Sequence, residues 1–480
     1  MKKIIYIAIM SAVFMACDDR LMELNTPSKL ATEVPVSTLF LNGMVNTFGN
    51  MESSSVNNNP FRLYAQYVAQ CTYPEESQYN LTREIPYYFW RGAYRDALSD
   101  LNTAKSILTA ELEVADAAFK PKLNNQLACT QIMMDYTYSV LVDAFGDVPY
   151  TEALDPDNIS PSYDDAATIY DNVLASLDES ISRIDVGEVG FESVQDPVYG
   201  GDMNGWKAFA NTLKLRMGMR LADVNASKSI SVVNSALASG VISSNNENVS
   251  ITYGSSSPNN NPLYSSLVLS GRQDFVGANT IVDIMNTNND PRRYVFFAEN
   301  LGSDTFLGGV YGDANAYATN SHLGDLFHTA DLPGTLIGYA EVEFLMAEMV
   351  ERGGYSVSGT AVSHYNAGIQ ASFDQWGIGG AAAYMAQPSV TYATATGTWQ
   401  QKIGTQLWLA LYNQGFEGWT TWRRLDMNIF NAPPILTLSD IPVRLPYPLR
   451  EGNQNGTNYD AAGSKIGGDL VSTKIFWDKF

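Results

Sequence analysis

The chain has 480 residues, of which 45% are hydrophobic and 17% are charged, and its formal net charge at pH 7 is -22. This length and apolar content suit a large folded core or about two to four domain-sized units, and they exclude a disordered chain. The negative charge argues against nucleic-acid binding, which needs a basic surface.

The amino terminus has the pattern of a secretory signal. Two lysines precede an apolar run that ends at Ala16, and this run is shorter than the roughly 20 residues that span a bilayer. Cys17 directly follows, as in a bacterial lipoprotein signal. We therefore expect residues 1–16 to be a signal peptide, Cys17 to be acylated, and residues 17–34 to form a polar tether. An ordinary signal peptide followed by a coincidental cysteine is the alternative.

Most of the remaining chain is predicted to be helical, because apolar residues recur at three- and four-residue spacing. Glycine at positions 146 and 353 is expected to end two of the helices. One short strand is predicted over residues 251–253. The predicted helices, in chain order, are 35–48, 86–112, 115–145, 163–184, 204–222, 229–238, 281–286, 335–352, 360–376, 399–412 and 418–425. The carboxyl end is predicted to be rich in loops.

The helices 335–352 and 360–376 are expected to pack as a pair, since neither can bury its apolar stripe alone. Ala361 and Tyr365 have the small-x3-aromatic spacing of the second helix of a tetratricopeptide repeat. The same spacing recurs at Ala166 and Tyr170. Helical repeats and ordinary helical hairpins both fit this pattern.

Residues 241–331 form the main predicted ligand region, because they combine weak periodicity with many Gly, Asn and aromatic side chains. A second predicted loop covers residues 72–84. Sugar rings stack on flat aromatic side chains, while polar side chains bind their hydroxyls. Peptides would use the same kind of groove, so the ligand class stays open. The candidate ligand-binding residues are Tyr73, Tyr79, Tyr264, Arg272, Asp274, Phe275, Tyr311 and Tyr317.

Several motifs, taken in their order along the chain, resemble the SusD/RagB family of nutrient-binding outer-membrane lipoproteins. They are Phe145-Gly146-Asp147-Val148-Pro149-Tyr150, Tyr339-Ala340-Glu341, Ala347-Glu348, Glu417-Gly418-Trp419, Trp422-Arg423-Arg424, Ile441-Pro442-Val443-Arg444-Leu445-Pro446-Tyr447-Pro448, Glu451 with Asn455, and Phe476-Trp477-Asp478. The two acidic residues that follow Cys17 also resemble the export signal of surface-displayed lipoproteins in the Bacteroidota.

The resemblance implies a mainly α fold with little β structure, in which four tetratricopeptide-like helix pairs form a scaffold. Residues 35–480 would then be a single SusD-like domain with long irregular loops that bind the ligand. The implied function is capture of oligosaccharides or oligopeptides at the cell exterior and their delivery to a SusC-like TonB-dependent transporter. The lipid-anchored protein would itself sit over this transporter as a lid. The alternatives are a surface glycan-degrading hydrolase and a structural lid without ligand affinity.

Two acidic residues are predicted to have a structural role rather than a catalytic one, so no enzyme is predicted. Glu341 and Glu348 share a helix face with apolar residues, and a buried carboxylate needs a cationic partner. We expect one of them to pair with Arg423 or Arg424.

No cofactor is predicted. The three histidines form no metal-binding motif, and nucleotide-binding motifs are absent from the sequence. Structural calcium stays open at the acidic loops 155–158 and 196–202. Cys71 and Cys129 are expected to be two separate buried thiols.

Overall fold

A computed structural model describes residues 34–81, 84–435 and 441–480. The predicted signal peptide, the predicted acylation site at Cys17 and the tether up to residue 33 lie outside these residues. Within the described ranges, no helix combines the length and the apolar content that crossing a membrane requires.

The chain is mainly helical, as predicted. The helices are α1 (Val36–Glu52), α2 (Phe61–Tyr64), α3 (Ile85–Arg91), α4 (Ser99–Val114), α5 (Lys120–Phe145), α6 (Ala166–Arg183), α7 (Met203–Arg220), α8 (Ala226–Ser239), α9 (Pro262–Tyr264), α10 (Asn279–Thr287), α11 (Arg293–Phe296), α12 (Tyr339–Arg352), α13 (Ala361–Gln375), α14 (Ala381–Met385), α15 (Trp399–Ala410), α16 (Gly415–Leu425), α17 (Leu449–Gln454) and α18 (Gly456–Lys465). A π-helical segment, Gly92–Leu98, joins α3 to α4, and another, Ser265–Leu269, follows α9.

Consecutive helices pack against each other in pairs, namely α5 with α6, α7 with α8, α12 with α13, and α15 with α16. In the α12–α13 pair, Tyr365 is buried and its ring meets the ring of Phe344 edge-on. Gly368 allows this close approach, because a Cβ atom there would lie 2.8 Å from the Phe344 ring. The Thr360 side chain and Ser363 form a capping box that fixes the start of α13.

Strand structure is limited to two small antiparallel sheets in the described part of the chain. In one sheet, β1 (Val68–Gln70) pairs with β3 (Phe275–Gly277), so that Gln70 lies opposite Phe275. In the other, β2 (Val249–Ile251) pairs with β4 (Gly334–Ile337), and Ser250 lies opposite Thr335.

Three features differ from the sequence-based predictions. The carboxyl end, predicted to be loop-rich, contains helices α17 and α18, whose sequences carry too little apolar periodicity to signal a helix. The predicted strand at residues 251–253 lies two residues earlier, as β2. Cys71 and Cys129, the two cysteines that the structure describes, are separate free thiols, but Cys71 is only half-buried because it follows β1 at the surface.

Candidate ligand-binding site

The β1–β3 sheet brings together two loops that are 200 residues apart in sequence. The backbone pairing continues one step beyond the strands, where the Cys71 amide donates to the Asp274 carbonyl over 2.8 Å. The loop that carries Tyr73 and the loop that carries Arg272 therefore leave the same end of the sheet. Main-chain hydrogen bonds, rather than contacts between side chains, set their relative position.

Gln70 fixes the shape of the Tyr73 loop. Its Nε2 donates to the Tyr73 carbonyl at 2.9 Å and to Glu76 Oε2 at 2.7 Å. Its Oε1 accepts hydrogen bonds from the amide and the hydroxyl of Ser77. The backbone N–H and the side-chain Nδ2 of Asn315 both donate to the Gln70 carbonyl, and these bonds attach the 310–320 loop to the same strand.

Tyr73, Arg272 and Asp274 lie together at the surface. The Tyr73 side chain is 57% exposed. The Arg272 Nε donates to Asp274 Oδ2 over 2.5 Å. This hydrogen bond raises the pKa of Arg272, and the nearby Tyr73 phenol adds to the shift. The Arg272 side chain is exposed and that of Asp274 is half-buried, so the pair is partly open to solvent.

Tyr317 lies beside the same sheet and is held by His322. The two rings stack with their centroids 3.7 Å apart, and His322 Nε2 donates to the Tyr317 carbonyl over 3.0 Å. Burial lowers the pKa of His322, so the imidazole is neutral at pH 7. Burial raises the pKa of the Tyr317 phenol, and the adjacent Cys71 thiol contributes to this shift. We refer to Tyr73, Arg272, Asp274, Tyr317 and His322 as the loop platform.

Three predicted ligand residues are buried instead of facing a ligand. Tyr79 and Tyr311 are almost completely buried beneath the loops, where Tyr79 also packs edge-on against Tyr64. Phe275 is buried as the first residue of β3. These aromatic residues support the loops from below, so their side chains are not available to a ligand. Tyr264 is half-buried in the short helix α9.

His322 and a second exposed aromatic residue, Tyr294, were not among the predicted ligand residues. The Tyr294 hydroxyl donates to Asp304 over 2.5 Å, and Arg293 donates to the same carboxylate over 2.7 Å. The Tyr294 ring meets Phe306 edge-on. The local signal for Tyr294 was the run of aromatic and charged residues around it, which does not distinguish exposed from buried rings. The sequence around His322 contains no such run.

The acidic residues that were predicted to be structural belong to buried ion pairs in the helical scaffold. Glu348 Oε1 lies 2.5 Å from Arg424 Nη1 and 2.7 Å from Arg352 Nε. Glu341 is paired with Arg216 instead, which donates to it from Nε at 2.7 Å and from Nη2 at 2.6 Å. Burial raises the pKa of Glu341 although this arginine opposes the shift.

Arg423 has a different environment from the one expected. Its guanidinium lies 3.6 Å from the centre of the Trp419 ring and 4.8 Å from that of Trp477. It donates to the main-chain carbonyls of Asp143 and Val443. Burial lowers the pKa of Arg423 to about 10. Arg423 therefore joins α16 to α5 and to the carboxyl-terminal segment, through hydrogen bonds to main-chain carbonyls and packing on the two tryptophan rings.

Side-chain geometry in the described part of the chain gives no support to metal binding. Across the described ranges, no group of three or more His, Cys, Asp or Glu side chains is arranged to hold a metal ion. In the acidic loop 196–202, the Asp196 carboxylate accepts hydrogen bonds from three backbone amides and from Trp206 Nε1. Structural calcium stays an untested prediction.

Comparisons with known proteins identify the family. A sequence model of the SusD-like family, described as starch-binding and associating with the outer membrane, matches residues 27–448. The chain belongs to the SusD-like family. This result agrees with the motifs at residues 145–150 and 441–448, which lie at distant points of the matched segment.

Solved structures of SusD-like proteins share the fold over nearly the whole chain. A chitin-binding protein is 25% identical, with a TM-score of 0.77 over 92% of this chain and 99% of its own. A SusD homologue from Bacteroides uniformis is 26% identical, with a TM-score of 0.79 over 92% and 99% of the two chains. A chitin-binding SusD homologue from Flavobacterium johnsoniae is 24% identical, with a TM-score of 0.75 over 92% and 98%. A search of curated proteins gave no match.

In this SusD-like chain, the loop platform is suited to non-covalent binding. The exposed Tyr73 ring offers a flat apolar face, and the Arg272–Asp274 pair offers both hydrogen-bond donors and acceptors. Hydrolysis of a glycan would require two carboxyl groups on opposite sides of the scissile bond. On the platform, Asp274 is instead bonded to a guanidinium.

Proposed function

We propose that this SusD-like protein captures oligosaccharides on the loop platform and delivers them to a SusC-like TonB-dependent transporter. In this proposal, acylated Cys17 anchors the protein to outer-membrane lipid at the cell exterior. The observation that carries the proposal is the exposed Tyr73 ring beside the Arg272–Asp274 pair, with the Tyr317–His322 stack on the same sheet. A chitin-binding protein that is 25% identical, together with the starch-binding description of the family, supports the choice of a glycan as ligand.

The chemical groups of the loop platform match those of a sugar. The C–H face of a sugar ring packs on an aromatic side chain, and its hydroxyls both donate and accept hydrogen bonds. The neutral imidazole of His322 adds aromatic area without a charge. The protein acts by binding and release and does not cleave its ligand. Oligopeptides stay the alternative ligand class.

Isothermal titration against neutral oligosaccharides derived from chitin and starch, together with short peptides, tests the proposal. Removing one stacking ring, in Tyr73→Ala or Tyr317→Ala, is expected to weaken sugar binding about fivefold, since an aromatic contact contributes about 1 kcal/mol. Phe119→Ala is the matched control, because Phe119 is an exposed aromatic residue of the α4–α5 corner. Equal affinities in all three variants would remove the platform from the site.

The same samples separate capture from hydrolysis. After prolonged incubation with the polymeric glycan, the purified protein is expected to produce no new reducing ends while retaining its affinity. The appearance of reducing ends would establish the hydrolase alternative. The transporter partnership is tested with an affinity-tagged protein purified from detergent-solubilised outer membranes. A TonB-dependent transporter is expected to co-purify with it. Purification of the tagged protein without a transporter would contradict the partnership.

A further inference from the structure

A separate pocket of about 730 Å³ lies away from the loop platform. Its walls come from the segment 245–252, the residues around Thr335 on β4, the turn 374–377 after α13, and the turn between α15 and α16. All the lining residues that the structure describes differ from the five platform residues. Pockets of about 300–1,000 Å³ are typical of small-molecule sites. We call this space the amide pocket, because Asn245, Asn246, Asn248, Gln375, Asn413 and Gln414 line it.

The fold holds the walls of the amide pocket in fixed positions. Ser250 and Thr335 face each other across the β2–β4 sheet, and their hydroxyl oxygens are 2.7 Å apart. Asn413 accepts a hydrogen bond from Arg62 at 2.9 Å and donates to Glu52 at 3.1 Å, both inside the core. These contacts place the pocket on the scaffold itself rather than on free loops.

Several polar groups in the lining have no partner within the described chain. Asn245 donates from Nδ2 to the Ala371 carbonyl over 2.9 Å, which leaves its Oδ1 without a hydrogen bond. Gln414 Oε1 and Trp376 Nε1 are likewise buried and unpaired among the described residues. Buried polar groups in folded proteins are nearly always hydrogen-bonded. The lining residues thus carry two unpaired acceptors and one unpaired donor, and a ligand that both donates and accepts hydrogen bonds matches them.

Trp376 provides the aromatic part of the wall. Its ring is held by Phe296, with centroids 5.5 Å apart, and by Phe327, with centroids 5.6 Å apart. The side chain is half-buried and lines the pocket. A ring fixed in this way offers a stacking surface at little entropic cost to the ligand.

The charge of the lining selects against anions. Among the described lining residues, no side chain is cationic, and the one acid, Asp374, lies exposed at the rim. A phosphate or a uronic acid would find no counter-charge here. Neutral sugar units carry hydroxyls around the whole ring, which can donate to and accept from the amide side chains of the lining.

We infer that the amide pocket is a second binding site, which takes neutral sugar units. The ligand class rests on the proposed function, whereas the site itself rests on the unpaired amides and the fixed indole. A glycan bound at two separate places would be retained more strongly than at the platform alone, because the second contact becomes intramolecular.

The test uses two pocket variants with intact platforms. Thr252→Trp fills the pocket from an exposed position at its rim, and Gln414→Ala removes one unpaired acceptor. Thr109→Trp, at an exposed site on α4, is the matched control for the added ring. Trp376→Ala is less suitable, because Trp376 also packs against two phenylalanines. Thermal unfolding of each variant checks that the fold is retained.

Titration with neutral di- to tetrasaccharides from chitin and starch, and with an uncharged tripeptide, gives the number of sites and their affinities. The wild-type protein is expected to bind two short sugars, and each pocket variant is expected to weaken one of these sites by about tenfold or more. Tyr73→Ala should weaken the other site.

The outcomes separate the two proposals. If two sites are found and only the pocket variants weaken sugar binding, the amide pocket is supported and the platform is contradicted. Binding that is unchanged in Thr252→Trp and Gln414→Ala would overturn the pocket while the platform stands. Occupation of the pocket by the tripeptide and not by sugars would also overturn the inference. A wild-type protein that binds none of the sugars would refute both proposals.

Discussion

Arg424→Ala tests whether the buried ion pair between α12 and α16 stabilises the scaffold. The substitution removes a guanidinium that lies 2.5 Å from the fully buried Glu348. Removing one partner of a buried pair costs about 3–5 kcal/mol, because a charge is left unpaired in the interior. Arg352 Nε stays 2.7 Å from the same carboxylate oxygen, so we expect a loss at the lower end, about 3 kcal/mol.

This loss converts into a measurable change in melting temperature. The entropy of unfolding is about 2.1 cal/mol/K per residue, or about 1 kcal/mol/K for a chain of 480 residues. A loss of about 3 kcal/mol therefore lowers the melting temperature by about 3 °C. Differential scanning calorimetry resolves such a shift. Ligand affinity of the folded variant should equal that of the wild type, since Arg424 lies in the scaffold.

Lys122→Ala is the matched control. Lys122 Nζ lies 2.8 Å from Glu192, but both side chains are exposed. An exposed pair contributes about 0–1 kcal/mol, so its loss should lower the melting temperature by about 1 °C or less. If Arg424→Ala melts within the range of this control, the buried pair does not stabilise the protein and our reasoning fails.

Two further predictions concern pH and membrane attachment. Burial raises the pKa of Asp135 to about 7, which favours its protonated form in the folded protein, so the free energy of unfolding should fall as the pH rises from about 4, the ordinary pKa of this carboxyl, towards 7. Asp135→Asn keeps hydrogen bonds to Gln131 and Ser176 but cannot ionise. Between about pH 5 and pH 8, its free energy of unfolding in urea should rise by about 3 kcal/mol relative to that of the wild type. Parallel pH profiles of the two proteins would disprove this. Cys17→Ser should move the protein from the membrane fraction to the soluble fraction and abolish labelling by radioactive fatty acid, whereas labelling that persists would place the acyl group elsewhere.

The helical scaffold was largely predictable because its signals are local. Helix α5 ends at Phe145 and α12 ends at Arg352, each directly before a glycine with positive φ, as the sequence indicated. Apolar periodicity and glycine termination both act within a few residues, so one stretch of sequence contains the whole cause.

The ligand face was only partly predictable because exposure depends on distant segments. Tyr73 and Tyr79 lie in the same loop, and both have positive φ, but Tyr79 is buried by Tyr64 and Tyr311 while Tyr73 projects into solvent. Composition is the same around both residues. The difference arises from packing between segments more than 200 residues apart, which no local pattern records.

The ion-pair partners illustrate the same limit. Either Glu341 or Glu348 was expected to pair with Arg423 or Arg424 of α16. Glu348 does pair with Arg424, whereas Glu341 is bound through two nitrogens by Arg216 on α7, 125 residues away in sequence. The requirement for a cation beside a buried carboxylate was a sound physical inference. The choice among several arginines depended on how the helix pairs stack, which is a property of the whole fold.

The β1–β3 pairing separates the surface chemistry of two loops from the structure that holds them. Because main-chain bonds hold the Tyr73 and Arg272 loops in register, substitutions at these two positions alter the surface without disturbing the strands beneath. An exchange of these loop side chains would thus change what the surface can contact, while the main-chain pairing and the helices below stay the same.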